Sequence, residues 1–166
     1  MREILFRGFT PVEKGKAKVF VNGEWINGQW VEGSYWKLNK TTYCFKEDYE
    51  RDPGNTEHYI VFDQMTDWGL PNRHLQADVL PETVGQYTGL TDKNGKRIFE
   101  GDIVNVNTNK DALCHRYEGR NLVIRFDEYH RFVASGRLEY PLCSHYEWEV
   151  IGNIHDNPEL LEGGAE

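Results

Sequence analysis

The chain has 166 residues, of which 39% are hydrophobic and 28% charged, a composition typical of a globular protein that buries a core without disulfides or metals. No apolar run approaches the ~20 residues that a membrane-spanning helix needs, and we expect no export signal, so the three widely spaced cysteines predict free thiols in a cytoplasmic protein. Aromatic residues reach 13% and sixteen glycines punctuate the chain, which favours β-strands joined by tight turns.

The net charge of −8 is unevenly distributed along the sequence. Residues 1–46 carry eight Lys/Arg and four Asp/Glu, a net +4, whereas residues 47–166 carry eleven and twenty-three, a net −12. An acidic protein repels the phosphates of nucleic acid, which disfavours that class of partner. The basic first part nevertheless leaves a nucleic-acid site open.

The N-terminal part predicts a series of short strands. Alternation at residues 4–7 predicts a first strand that Gly8 ends. Two Asn-Gly pairs, at 22–23 and 27–28, are strong hairpin signals, but they lie too close together for both to join full strands. Further strands are predicted at Trp30–Leu38, Thr41–Lys46 and His58–Phe62, with an acidic loop over residues 47–57 around Pro53-Gly54.

Residues 63–81 give no clear period and are predicted to be a connector or an insertion. Residues 75–80 would fit one helical turn, closely bracketed by Pro71 and Pro81. We therefore expect a single unit with three substructures, an N-terminal β region at 1–62, this connector, and a C-terminal region at 82–161.

A tight hairpin is predicted at Asp92–Lys96, and two registers are compatible with its sequence. A two-residue turn on Asn94-Gly95 would place Lys93 opposite Lys96, two like charges. A three-residue loop instead pairs Asp92 with Lys96 and places Gly95 where the backbone φ is positive. The second register is therefore favoured.

The rest of the C-terminal part predicts strands closed by a turn at Asn157-Pro158-Glu159. These strands lie at residues 84–87, 103–107, 122–126, 131–134 and 146–151, the last with Tyr146, Trp148 and Val150 inward. The fold class is therefore mainly β, with an SH3-like roll or small barrel in the C-terminal part and additional N-terminal strands.

Residues that could carry chemistry are present, but not in a pattern that predicts a site. Potential zinc ligands occur at Cys114, His115, His130, Cys143 and His145, without the paired short spacing of a structural zinc site. Ser144 adjoins His145, but neighbours on a strand point to opposite faces and cannot act as nucleophile and base. We expect no catalytic residue, cofactor or metal, and no enzymatic activity.

One segment has a plausible ligand mechanism, because several lysines and aromatic residues occur together between residues 14 and 40. Exposed rings would stack on bases while lysines neutralise phosphates. The alternative, which we favour, is that most rings fill the core and the lysines lie at its rim. The candidate nucleic-acid contacts are Lys14, Lys16, Lys18, Trp25, Trp30 and Trp36.

Three blocks of the sequence resemble the YopX family, in the family's order and bracketing almost the whole chain. They are Arg2-Glu-Ile-Leu-Phe-Arg-Gly8, Pro81-Glu-Thr-Val-Gly-Gln-Tyr-Thr-Gly-Leu-Thr-Asp-Lys-Asn-Gly-Lys-Arg-Ile-Phe-Glu-Gly-Asp-Ile-Val104 and Val150-Ile-Gly-Asn-Ile-His-Asp-Asn-Pro-Glu-Leu-Leu161. The resemblance implies a phage or prophage protein with a mainly β fold, an SH3-type roll and no established activity. Segments 9–29 and 47–80 diverge, and any function particular to this member is expected there.

The residues that carry the resemblance are expected to be structural rather than functional. They are Arg7, Gly8, Thr83, Gly85, Gln86, Tyr87, Gly89, Asp92, Asn94, Gly95, Glu100, Gly101, Asp102, Gly152, Asn153, Asn157 and Pro158. The glycines would set turns, and the neighbouring apolar residues would fill the core. Core positions are predicted at Tyr87, Ile98, Phe99, Ile103 and Val104, and closure of the roll at Ile151, Ile154, Leu160 and Leu161.

The sequence therefore predicts a cytoplasmic phage accessory protein in a bacterial host that works as a non-enzymatic protein-binding module. Exposed strand edges and the surface of a roll suit that role. The alternative is a single-stranded nucleic-acid binder that uses segment 14–40. A homo-oligomer is compatible with the sequence, and a membrane partner is not expected.

Overall fold

The computed structural model describes residues 4–12, 20–21, 24–39, 42–51, 56–65, 68–107, 120–136, 139–142, 144 and 146–164. The protein is mainly β, with 55% strand, 11% helix and antiparallel sheets, so the predicted fold class is confirmed. The chain divides into two compact units, one spanning Leu5–Val84 and one comprising Gly85–Glu166 together with Met1–Ile4. None of the described helices is long and apolar enough to cross a membrane.

The N-terminal unit is built on a sheet of four strands in the order β6-β5-β4-β1, in which all neighbours are antiparallel. A separate two-stranded ribbon, one short helix and a 3-10 turn accompany the sheet. The elements are β1 Phe6–Phe9, β2 Phe20–Val21, β3 Glu24–Trp25, β4 Trp30–Asn39, α1 Lys46–Arg51, β5 Thr56–Met65, β6 Pro71–Asp78 and the 3-10 turn Pro81–Thr83.

One face of this sheet forms the core of the N-terminal unit. Val31, Ile60 and Ala77 lie on the same face of three neighbouring strands and pack with Val79, which follows β6. Because side chains alternate along a strand, Trp30 and Trp36 point to the opposite, outward face.

The C-terminal unit contains a five-stranded antiparallel sheet in the order β12-β11-β10-β9-β13 and a hairpin of β7 and β8. Four strands form a meander, and β13 returns beside β9. The elements are β7 Gly85–Thr91, β8 Arg97–Phe99, β9 Asp102–Asn107, β10 Asn121–Phe126, β11 Phe132–Ser135, β12 Glu139–Pro141, β13 Glu147–Asn153 and the 3-10 turn Pro158–Gly164. The SH3-like character of this unit stays a prediction.

The predicted core positions of the C-terminal unit are buried. Ile98, Ile103 and Val104 have no exposed surface, and Phe99 and Tyr87 are also buried. Trp148 is buried too, while its neighbours Tyr146 and Val150 are partly buried against the same cluster. The prediction of these positions rests on the central block of the resemblance and, for Trp148, on alternation along the last strand.

The hairpin at Asp92–Lys96 has the favoured register. The Asp92 N–H donates to the carbonyl of Lys96 at 2.8 Å, and the Gly95 N–H donates to the carbonyl of Asp92 at 3.0 Å. Gly95 has a φ of +82°, the left-handed value that the three-residue loop requires. This prediction is confirmed.

In the N-terminal unit, the prediction about the two Asn-Gly pairs and the prediction that Gly8 ends a strand have different outcomes. Gly28 sits in a loop with a φ of +63°, so Asn27-Gly28 does not join two paired strands, in line with the prediction that at least one of the two pairs is only a loop turn. Val21 pairs with Glu24, and Asn22-Gly23 between them lies outside the described residues. Gly8 does not end a strand, because β1 continues through it to Phe9. A Cβ at Gly8 would lie 2.9 Å from Val79, so glycine is needed there for close packing.

The predicted strand at Thr41–Lys46 and the predicted acidic loop at 47–57 are wrong where the structure describes them. Residues 42–45 form no strand, Lys46–Arg51 is helical, and β5 begins at Thr56. Two ion pairs stabilise the helix, Lys46 to Glu50 at 3.3 Å and Arg51 to Asp48 at 3.0 Å. Residues 52–55, including Pro53-Gly54, lie outside the described residues.

The connector predicted at 63–81 is largely a pair of strands instead. Residues 63–65 belong to β5, and Pro71–Asp78 forms β6, so the helical turn suggested for residues 75–80 is absent there. Pro71 is compatible with this arrangement because it is the first residue of an edge strand. Residues 63–81 have no clear hydrophobic period, so the burial of Ala77 and the pairing with β5 determine that this segment is a strand.

Closure of the C-terminal unit also differs from the prediction. Ile151, Ile154 and Leu161 are each 37% exposed, so they do not fill the core. Hydrogen bonds hold this end instead, from the Ile154 N–H to the Gly101 carbonyl at 2.9 Å and from the Asn121 amide to the Leu160 carbonyl at 2.8 Å. The short strand β12 was not predicted.

Candidate functional site

Asp92, which lies in the central block of the resemblance, has a structural role because its carboxylate accepts backbone hydrogen bonds. Its Oδ1 accepts the N–H groups of Asn94 at 2.8 Å and Lys96 at 2.9 Å, and its Oδ2 accepts the N–H of Val150 at 3.1 Å. Desolvation raises the pKa of Asp92, but these hydrogen bonds outweigh it and hold the pKa below its usual value. The carboxylate is therefore committed to joining the hairpin to β13.

Lys93, next to Asp92, strengthens the same junction. Its N–H donates to the carbonyl of Trp148 at 2.9 Å, and its ammonium group lies 2.7 Å from a carboxylate oxygen of Glu149. Glu149 therefore forms an ion pair within the unit.

Other residues of the central block also satisfy backbone groups. The Thr83 hydroxyl accepts the Phe9 N–H at 2.9 Å and donates to the Leu80 carbonyl at 2.7 Å. Asp102, which is buried, accepts the Phe99 N–H at 2.7 Å. These contacts fix turns and strand ends.

Close packing and aromatic contacts explain several more motif positions. Glu100 donates its N–H to the carbonyl of Gln86 at 2.9 Å, and a Cβ at the adjacent Gly85 would overlap the Glu100 carbonyl oxygen. The Tyr87 ring packs against Phe99 with centroids 5.5 Å apart.

The two terminal motif blocks have structural contacts of the same kind. The Arg7 guanidinium lies 4.8 Å from the centroid of the Trp30 ring. Asn153 Oδ1 accepts the N–H groups of His155 and Asp156, each at 2.9 Å, and the Asn157 N–H donates to the Asn153 carbonyl. Pro158 begins the closing 3-10 turn.

The candidate nucleic-acid residues are only partly brought together. Trp30 and Trp36 share the outward face of β4, and Trp36 is 52% exposed. Lys14, Lys16 and Lys18 lie outside the described residues, and Trp25 belongs to β3, where its side chain is not described.

Tyr35, between these tryptophans in the sequence, belongs to the opposite face. Its ring packs against Phe6 with centroids 5.6 Å apart, and its hydroxyl shares a 2.6 Å hydrogen bond with His58 Nδ1. Burial raises the pKa of Tyr35. The ring is therefore part of the core and is not a stacking platform.

The residues considered as zinc ligands do not form a described site. Cys114, His115, Cys143 and His145 lie outside the described residues. His130 occupies a hairpin loop between β10 and β11, with a φ of +60°. Among the residues whose placement is described, no three His, Cys, Asp or Glu side chains are placed to share a metal ion.

An open groove of about 550 Å³ lies beside the end of β4 and the first turn of α1. Three aromatic rings line it, those of Tyr43, Phe45 and Tyr49, together with Cys44 and Lys46. Phe45 is 68% exposed and Tyr49 46% exposed, while Tyr43 packs edge-on against Tyr49 with centroids 5.6 Å apart. The groove thus presents aromatic surface to solvent.

Comparison with known proteins identifies the family. The family model described as YopX protein matches residues 24–162, which is most of the chain. The chain belongs to the YopX family. A search of curated proteins finds no match. Among solved structures, the crystal structure of protein EF1440 from Enterococcus faecalis is 23% identical, with a TM-score of 0.45, over 97% of this chain and 99% of that one.

The matched range contains the central and C-terminal blocks of the resemblance, whereas the block Arg2–Gly8 precedes it. The aromatic groove was not predicted, because the sequence predicts a strand and an acidic loop that would separate Phe45 from Tyr49. The missed signal was helical spacing, because Phe45 and Tyr49 are four residues apart and Lys46 and Glu50 repeat that interval.

Proposed function

We propose that this YopX-family protein is a phage or prophage accessory protein that works in the cytoplasm of a bacterial host as a non-enzymatic protein-binding module. The contact surface is the aromatic groove formed by Tyr43, Phe45 and Tyr49. The single observation that supports this surface is the exposure of Phe45, 68%, at the edge of an open groove.

The chemistry of the groove suits a protein partner. Its volume of about 550 Å³ admits a partner side chain, and aromatic residues are enriched in protein interfaces. The amide of Asn39, which also lines the groove, would bind the main chain of a partner segment. A partner segment that combines an apolar side chain with polar main-chain groups is therefore favoured.

The lining of the groove also supports a binding role over catalysis. Cys44 is an exposed thiol, but the described lining supplies neither an imidazole nor a carboxylate that would activate it. Lys46 is paired with Glu50 on the same helix. A nucleophile without a base in reach is a poor catalyst, whereas the same rings bind apolar groups without further chemistry.

Single-stranded nucleic acid is the second candidate partner, because Trp30 and Trp36 share one face of β4. The same outward face carries Glu32, Glu57 and Asp63 according to the strand register. Carboxylates beside the stacking rings would repel a phosphate backbone. The protein partner is therefore the stronger proposal.

Affinity capture from bacterial cells that carry the phage or prophage tests the proposed function. We expect the wild-type chain to retain a defined protein and a Phe45→Ser/Tyr49→Ser double variant to lose it. Tyr129→Ser is the matched control, because Tyr129 is an aromatic residue that is 69% exposed in the C-terminal unit. Equal capture by wild type and double variant, or recovery of nucleic acid alone, would contradict the proposal.

A further inference from the structure

Strand β6 has an open side. It is the outermost strand of the N-terminal sheet, with β5 as its only neighbour among the described residues. The Val79 N–H donates to the His58 carbonyl at 2.9 Å, which fixes the alternation of the antiparallel ladder. The backbone groups of Leu75 and Ala77 therefore point to β5, and those of His74 and Gln76 point away from it.

Among the residues that the structure describes, the protections of this edge are confined to its start. Strand β6 is eight residues long, its proline is the first residue, and its register irregularity against β5 lies where Met65 pairs with Pro71. Natural edges are blunted by short length, bulges, proline or charged side chains that cover the backbone. Here two of the polar side chains are directed across the sheet, since His74 Nδ1 contacts Asp63 Oδ1 and Arg73 Nε donates to Gln64 Oε1 at 2.6 Å.

The polar side chains on one face of the edge are self-complementary. Asn72, His74 and Asp78 share the outward face of β6. An antiparallel copy with its axis at Leu75 places Asp78 of one chain opposite Asn72 and diagonal to His74 of the other. A partner of unrelated sequence would need this pattern independently, whereas a second copy supplies it by symmetry.

We infer that β6 pairs with β6 of a second copy of this chain, antiparallel and about a two-fold axis at Leu75, so that two N-terminal sheets join into one. With the axis at Leu75, residues 72–78 of one chain pair with residues 78–72 of the other, which is the whole regular part of β6. It places His74 opposite Gln76 and Asn72 opposite Asp78 of the second copy. The outward backbone groups of His74 and Gln76 then form hydrogen bonds between the two chains.

The same register accounts for an apolar side chain exposed next to the edge. Leu70 is 63% exposed, immediately before β6. With the axis at Leu75, residue 70 of one chain lies level with residue 80 of the other. Leu80 is itself partly buried, so the side chain of Leu70 gains an apolar neighbour.

Sedimentation of the full chain, at micromolar to submillimolar concentration, tests the pairing. We expect a reversible dimer for wild type and a folded monomer for Gln76→Pro. Proline at residue 76 removes an N–H that points to the open side and leaves the bonds to β5 in place. Circular dichroism confirms that the variant keeps its strands. A wild-type monomer at every concentration, or a dimer of folded Gln76→Pro, would overturn the inference.

Cross-linking checks the register without depending on the proline variant. In a chain with Cys44, Cys114 and Cys143 replaced by Ser, Leu75→Cys should form an intermolecular disulfide under mild oxidation. The two residues at the axis form a non-hydrogen-bonded pair, with Cα atoms about 4.5 Å apart, within disulfide reach. The control Gln76→Cys faces His74 and should cross-link far less. Equal or no cross-linking at the two positions would refute this register.

Discussion

Gly95 and His130 occupy equivalent positions in two hairpin loops of the same construction, with φ angles of +82° and +60°. Each donates its N–H to the carbonyl of an aspartate three residues earlier, at 3.0 Å to Asp92 and at 3.1 Å to Asp127. Each aspartate Oδ1 also accepts the N–H groups two and four residues further on. Both loops need a residue in the left-handed backbone region at this position, and Gly95 occupies it in one loop and His130 in the other.

Replacing Gly95 with valine should destabilise the protein through the backbone alone. A Cβ at Gly95 would have no heavy atom within 4 Å, so steric overlap with neighbours does not contribute. A β-branched residue in the left-handed region costs about 1–2 kcal/mol or more, and we expect that loss in the free energy of unfolding in urea. Gly95→Asn is the control and should lose less, because asparagine tolerates this region. An unchanged Val variant would show that the loop has another conformation.

Replacing His130 with glycine should have the opposite effect. Glycine relieves the left-handed strain, but its greater backbone entropy in the unfolded chain offsets part of that effect. We therefore expect the free energy of unfolding to rise by up to about 1 kcal/mol. His130→Ala is the control, because alanine keeps the strain and removes the ring that packs against Phe126 at 5.9 Å. Lower stability of His130→Gly in urea would mean that the imidazole contributes more than the strain costs.

The hydrogen bonds to Asp92 predict a loss of stability in acid. The pKa of Asp92 is lower in the folded chain than its ordinary value, so its contribution is fully present above the unfolded pKa of about 3.9. That contribution disappears as the pH falls through the lowered folded pKa, because the unfolded chain then binds the proton more readily.

Comparison with Asp92→Asn isolates this effect. At neutral pH the substitution should cost on the order of 1–3 kcal/mol, since it weakens charge-assisted hydrogen bonds to buried backbone groups. Urea unfolding at a series of pH values should show the two proteins converging below about pH 4. A difference that is independent of pH would indicate that the amide fails for steric reasons and that ionisation of Asp92 does not stabilise the fold.

Local turn chemistry and alternation were enough to predict much of the C-terminal unit. Asp92 and Gly95 specify one loop almost by themselves, and Trp148 alternates with outward glutamates in a recognisable strand. In both cases the residues that determine the structure are neighbours in the sequence.

The edge strand could not be predicted in this way because it depends on a distant partner. β6 exists as a strand because Leu75 and Ala77 pair with Phe62 and Ile60 of β5, while its own sequence suggests a connector. Tertiary pairing outweighs local propensity in this segment.

The groove was missed for a local reason. The sequence predicts a strand that includes Phe45, whereas the structure places Phe45 just before α1, where its ring is exposed. The strand pattern of residues 41–46 and the helical spacing of Phe45 and Tyr49 compete in one short segment.

Charge and exposure together give the last prediction, that single-stranded nucleic acid does not bind appreciably at physiological salt. The chain carries −8 overall, with +4 before residue 47 and −12 after it, so any site would be confined to the first part. At about 0.15 M salt the Debye length is roughly 8 Å, and the few lysines there would hold a phosphate backbone only weakly.

Tryptophan fluorescence measures this directly, because Trp36 is 52% exposed and a stacked base would quench it. We expect no saturable quenching by single-stranded DNA or RNA at about 0.15 M salt. Trp36→Phe identifies the ring responsible for any signal, and a Lys14/Lys16/Lys18→Ala triple variant tests the basic segment. Micromolar, salt-sensitive quenching that both variants lose would establish nucleic-acid binding and displace the protein-binding proposal. Without quenching, the outward tryptophans remain available to a protein partner.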